Sequence, residues 1–260
     1  MRIFSLKQKQ ILFLISMLFI TALVFIFPKI PQNPDYHKFS DNRTLLPFIP
    51  NTLDTLSNFP FLCVGIVGIF YLLRKKNQPS IHQNTKLYYY VFSFSLILTA
   101  IGSSYYHLHP NTDALYWDRL PMSIGFMTLL SLMIADRISE KLGSILLMPM
   151  VLIGTQSVWY WKLSELKNEG DLRAYLLVQF GSLISILLLM IFFPQKNLSN
   201  KSISHALGWY VLAKVFEALD SPIYSLTQQT ISGHTLKHLA AAVGCGYVIQ
   251  TIFIKPQKTI

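Results

Sequence analysis

Charge is what this sequence has least of: Asp, Glu, Lys and Arg make up 13% of its 260 residues, against 52% hydrophobic. An ordinary soluble domain carries about 25% charged residues, so the chain lacks the polar surface to cover a globule in water. Cysteine is nearly absent, and Cys63 and Cys245 both fall inside apolar runs. They are expected as small core residues, with no support for a disulfide or a thiolate metal site. No low-complexity tract, internal repeat or soluble domain is evident. Acidic residues are also scarce, 12 against 22 Lys and Arg, for a formal net charge of +10. That excess would suit nucleic acid if it formed one basic patch. Instead the basic residues collect in alternate loops, the pattern of membrane topology, and no nucleic-acid partner is expected.

What the sequence does have is apolar length. Its mean hydropathy is +0.42, and the apolar residues come in runs long enough for a helix rising 1.5 Å per residue to cross hydrocarbon. Eight spanning helices are predicted, at 11–27, 59–73, 87–106, 121–135, 142–161, 174–193, 205–219 and 234–254. Pro28, Pro121 and Pro194 stand at segment ends, where a missing N–H is tolerated. The first run resembles a signal peptide behind its basic start. It is long, however, and leads into Phe-Pro-Lys-Ile-Pro rather than a small-residue cleavage site, so an uncleaved anchor is expected. With both termini cytoplasmic, the inner segments hold 13 Lys and Arg and the outer ones 7, with Lys214 and Lys237 inside spans. Arg2, Lys75, Lys76, Lys255 and Lys258 are among the inner set. This bias supports the orientation and the helix count together. The chain is compatible with a bacterial inner membrane.

On this topology three segments distant in sequence bring polar groups to one outer depth. Ser103 and His107 stand four apart at the end of the third helix, and His234 and His238 four apart at the start of the last. Each pair therefore shares a helix face. Asp118 opens the fourth helix. Polar groups at the edge of hydrocarbon are costly unless they pair or bind something. Two histidines one turn apart arise by chance, and alone would be read as an interfacial pair bonded to carbonyls. With His107 from a second helix they make three imidazoles, a ligand set that suits zinc and leaves a position for water. A nearby carboxylate can take a proton from that water, and a hydroxyl can orient it or donate to a developing oxyanion. Asp118 and Ser103 are placed for those roles.

The whole constellation, Ser103-x3-His107, then Asp118, then His234-x3-His238, resembles the CREST superfamily of seven-helix membrane hydrolases, and within it the alkaline ceramidases. The likeness runs from Asn51 to Ile254 and includes Asp118-Arg-Leu-Pro-Met122 and the stretch 51–58. It implies an all-α integral membrane fold, a seven-helix bundle over 51–260, with residues 1–50 adding an extra anchor helix and outer linker. It also implies zinc on His107, His234 and His238, with Asp118 and Ser103 catalytic. The expected activity is that of a zinc-dependent amidase on ceramide or a related N-acyl lipid whose acyl chain lies between the helices. No obligate protein partner is implied. Animal ceramidases add an acidic, tryptophan-containing calcium site before the first core helix. Here Asp41, Asn51 and Asp54 stand in that region without a tryptophan, and Arg43 among them argues against calcium.

Other polar residues have plainer readings. His109 precedes Pro110 and is expected in a loop, while His37, His82 and His205 lack partners at ligand spacing. Lys214 and Glu217 are expected to neutralise each other within the bundle. Trp117, Tyr105, Tyr106, Trp159 and Trp161 are read as interfacial anchors, and Arg119 as a contact for Asp118 or a lipid phosphate. Two other functions compete. One is a zinc-containing receptor of the same superfamily, disfavoured by the lack of a domain outside the membrane. The other is a transporter or proton channel built on Lys214, Glu217 and Asp118. A haem bundle is disfavoured, because axial histidines face each other from different helices.

Overall fold

Backbone N–H and C=O groups cannot be left unpaired in hydrocarbon, and a helix satisfies them within one segment. The long apolar stretches are accordingly helical. The computed structural model describes residues 4–74 and 83–253. Arg2, Lys75, Lys76, His82, Lys255, Lys258 and the end of the eighth predicted segment at 254 lie outside the described residues.

In chain order the helices are α1 (Leu6–Ile26), α2 (Thr52–Leu56), α3 (Phe59–Arg74), α4 (Gln83–Leu108), α5 (Thr112–Arg137), α6 (Glu140–Leu166), α7 (Arg173–Leu176), α8 (Ser182–Phe192), α9 (Asn200–Ala218), α10 (Asp220–Leu226) and α11 (Gly233–Gln250). A π-helical turn, Leu177–Gly181, joins α7 to α8. Among the described residues there is no β-strand, only an isolated bridge between Leu46 and Ile49. The chain is an all-α integral membrane protein. Among the described residues, six helical stretches are long and apolar enough to cross a membrane: Leu6–Ile26, Thr52–Arg74, Thr85–Leu108, Thr112–Arg137, Glu140–Leu166 and Arg173–Phe192. The seventh and eighth predicted spans are present as α9 and α11 but fall short in apolarity. The reason is their internal polar residues, Lys214 and Glu217 on one and His234, Lys237 and His238 on the other.

Two compact units divide the chain. Of the described residues, one gathers 4–32 with 123–198; the other gathers 33–74, 83–122 and 199–253. In the first, α1 begins with a capping box in which Ser5 accepts from the Gln8 amide and Gln8 reaches back to Ser5. None of its residues is buried, and Ile26 is 78% exposed. Beyond its polar first turns α1 is apolar on every side, and such a helix with no buried residue suits lipid. Arg173 ties the end of α1 down by donating to the carbonyls of Phe25 and Phe27 while it forks onto Asp171. That fork, in the loop before α7, holds the Asp171 carboxyl down at about 2. Trp161 departs from its expected anchoring role: it is fully buried, with its indole N–H on Glu165. A partner for the N–H lets the ring go inside.

The second unit holds the candidate site. Here α11 packs along α9 and against α3, and α4 packs against α3 and α2. Tyr106, also expected as an anchor, is 1% exposed, whereas Tyr105 and Trp117 are exposed. Cys245 is half-buried, but Cys63 faces outward rather than into a core, and both are free. The fourth predicted span is α5, which starts at Thr112, nine residues before the predicted boundary, so Pro121 is inside it. Proline is tolerated there because of what it releases. Pro121 has no N–H for the Trp117 carbonyl, and that carbonyl lies against Gly102 of α4, where a Cβ would collide with it.

Candidate metal centre and active site

Each ligand-bearing helix is fixed by its own sequence. Ser232 caps α11, accepting from the Thr235 amide. Asp220 accepts from the His234 amide at 2.7 Å with one oxygen and from the Ser40 amide at 3.1 Å with the other. Gly233 allows this approach, since a Cβ there would run into the Phe216 carbonyl and the Asp220 backbone. His234 and His238 thus occupy the first two turns. On α4, Ser103 and His107 occupy the last two turns, and close contact at Gly102 brings them beside the Trp117–Asp118 backbone.

The three predicted histidines converge. His107, His234 and His238 are 1%, 6% and 5% exposed, and one ring nitrogen of each lies within 4.8 Å of the others. Their ring centroids form a triangle with sides of 4.9 Å. Phe39 covers two of the rings, at 4.6 Å from His107 and 4.9 Å from His234. Core histidines normally have both nitrogens hydrogen-bonded, because a buried polar atom without a partner is costly. The His107 Nδ1 is buried without any hydrogen-bond partner. Three buried imidazoles with an orphaned nitrogen fit a metal ion, and as a donor set they fit zinc with one position left open.

Asp118 hydrogen-bonds Ser103, one turn before His107 on α4, and interacts with Lys237, the residue before His238 on α11. The other predicted residues go elsewhere. His109 is an exposed loop residue past the end of α4. His37 bonds the Tyr106 hydroxyl at 3.0 Å and Thr112 at 3.3 Å, and burial, with Arg119 nearby, lowers its pKa. His205 stacks on Tyr247. Arg119 lies over the Tyr36 ring at 5.4 Å. Lys214 pairs with Glu217 as expected, but the pair is part of a larger set: Glu217 also meets Lys237 at 3.4 Å and the Tyr36 hydroxyl at 3.1 Å.

Asp41, Asn51 and Asp54 each bond a different partner. Both oxygens of Asp41 are taken by Arg43 at 2.7 Å. Burial pushes the Asp41 carboxyl up, but these bonds outweigh it and hold the group below the ordinary carboxylate range. Asn51 donates its amide to the His107 carbonyl at 2.7 Å. Asp54 accepts from Thr235 at 2.5 Å and Ser232 at 3.1 Å.

Three neighbours escaped the sequence reading. Lys237 had counted only as a charge within a span, yet its Nζ is 2.8 Å from His234 Nε2 and it interacts with Asp118, Asp54 and Asp220. Its place between two ligand-spaced histidines was the available signal. Ser57 reaches His238 Nδ1 at 2.7 Å, and Asp220 holds the His234 backbone. Both are far from the histidines in sequence, and nothing local marks them.

The profile of one family, Ceramidase, matches residues 41–254. The chain belongs to the ceramidase family. The match takes in all five predicted site residues and leaves α1 outside. No curated protein matches the chain. Ceramidase membership supports a hydrolase acting on a lipid amide, and the histidine cluster gives that hydrolase a place for a metal ion.

Proposed function

We propose that this ceramidase-family protein is a zinc-dependent amidase that cleaves the amide of ceramide or a related N-acyl lipid. The observation that carries the reading is the buried triangle of His107, His234 and His238, and Ser103, one turn before His107 and bonded to Asp118, supplies the accompanying acid–base pair. The three histidines would hold zinc, which supplies a Lewis acid able to lower the pKa of water towards about 7.

The remaining chemistry belongs to the chain's own groups. Asp118 accepts a proton from the water as its oxygen attacks the amide carbon, and delivers it to the leaving nitrogen as the C–N bond breaks. The products are a fatty acid and a lipid amine. Ser103 has a single hydroxyl proton, which an ionised Asp118 claims. Once Asp118 is protonated it donates back to the Ser103 oxygen, and the serine proton is released for the developing oxyanion. One hydrogen bond thus couples proton uptake to oxyanion stabilisation. Phe39, over the His107 and His234 rings, keeps bulk water from that side of the site.

The orientation proposed has both termini cytoplasmic and the site towards the outer face of a bacterial inner membrane. Residues 51–260 form the catalytic part and 1–50 an anchor and linker; no obligate protein partner is required. The test is a panel of ceramides, other N-acyl lipids and phospholipids, incubated with purified protein with and without chelator. Fatty acid release from an N-acyl lipid, abolished by chelation and by His234→Ala or His238→Ala, is expected. Variants that keep full activity would rule out the metal mechanism.

A further inference from the structure

One short stretch, 51–57, touches both helices that carry the histidines. Towards α4, Asn51 donates to the His107 carbonyl at 2.7 Å, and the Thr55 carbonyl accepts from Ser104 at 3.2 Å. Towards α11, one oxygen of Asp54 takes the hydroxyls of Thr235 and Ser232. One turn further along α11, Ser57 meets His238 Nδ1 at 2.7 Å. Asn51, Asp54, Thr55 and Ser57 are all buried. Asn51 adopts the left-handed conformation, with φ 47° and ψ 48°, which asparagine tolerates better than most residues.

The Ser57 contact carries chemical information. A serine hydroxyl has one proton to give. Ser57 gives it to the Asp54 carbonyl at 2.8 Å, so towards His238 it can only accept. The ring nitrogen facing it must then be the donor. We propose, building on the zinc reading above, that Ser57 is a positioning residue: it keeps the His238 proton on Nδ1 and leaves Nε2 with its lone pair for the metal. Asp54 secures the arrangement, because the turn that carries Ser57 is bound to the same helix as His238. Partners of this kind fix the tautomer and orientation of a ligand histidine, and their loss costs about 10- to 100-fold in metal affinity. If Ser57 served only to end α2, its loss would change folding stability and leave metal affinity alone.

The experiment uses the full chain in detergent and measures zinc affinity by competition with a chromogenic chelator. Ser57→Ala is expected to weaken binding by about 10- to 100-fold, and Ser57→Thr, which keeps the hydroxyl, to stay within about threefold of wild type. Ser57→Ala binding zinc as tightly as wild type would overturn the proposal and leave the zinc reading standing. A wild-type protein that binds no zinc would bring down the zinc reading, and this proposal with it. A second measurement needs no serine variant. In wild-type protein labelled with 15N-histidine, the His238 signals, identified by their loss in His238→Gln, should show a proton on Nδ1 with and without zinc. A proton on Nε2 instead would overturn the proposal.

Discussion

Asp118 and Ser103 share one hydrogen bond, and the two roles proposed for them can be separated by kinetics. Asp118→Asn keeps the shape of the side chain but cannot shuttle the proton; kcat should fall by about 10²- to 10⁴-fold with zinc content unchanged. Ser103→Ala should cost about 10²- to 10³-fold in kcat, the usual loss of one oxyanion donor, with little change in KM. A large rise in KM with kcat preserved, in either variant, would place the residue in binding instead. At this scale the sequence was informative where chemistry and local spacing coincide. Ser103-x3-His107 and His234-x3-His238 each lie on one helix, so spacing alone puts each pair on one face. Asp220, Ser57 and Asn51 serve the same histidines through contacts that span 14, 181 and 56 positions, and no local pattern could single them out. Lys237 was visible as a charge, but the identity of its neighbours came only with the fold.

At the scale of the element, the contact between α4 and the start of α5 is the most sensitive. Gly102→Ala would push a methyl group into the Trp117 carbonyl. Overpacking of this kind costs about 1–3 kcal/mol, and the variant should show a lower Tm and reduced activity, since the same contact sets Ser103 beside Asp118. An unchanged Tm would mean that the two helices separate freely there. The sequence misplaced this element's start. Pro121 marks a boundary by the ordinary rule, and only the fold reveals that the carbonyl it frees is used in packing. The loop before α7 gives a pH test. The Asp171 carboxyl is depressed to about 2 by its fork with Arg173, against about 3.9 for a free aspartate. A depressed folded pKa contributes stability above about pH 4 that fades as pH falls through about 2. Arg173→Ala should therefore lower Tm at neutral pH, with the gap to wild type closing as the medium is acidified through that window. A gap independent of pH would assign the effect to the Phe25 and Phe27 carbonyls instead.

For the whole molecule, composition and run length were enough to establish an all-α membrane protein. Of the eight predicted spans, α9 and α11 fall short in apolarity because they carry Lys214, Glu217, His234, Lys237 and His238, all within the second unit. Arg43 already neutralises Asp41, while Asn51 and Asp54 are bonded to α4 and α11. A chelator selective for calcium should leave lipid hydrolysis unaltered; lost activity restored by calcium alone would show a site formed elsewhere. The central claim is that one zinc ion on three histidines drives amide cleavage. Its most direct test is to strip the metal from purified full-length protein, titrate zinc back, and follow fatty acid release from ceramide at each step. Activity should vanish on stripping and return to its plateau at one equivalent of zinc. Undiminished release from the metal-free protein would contradict it.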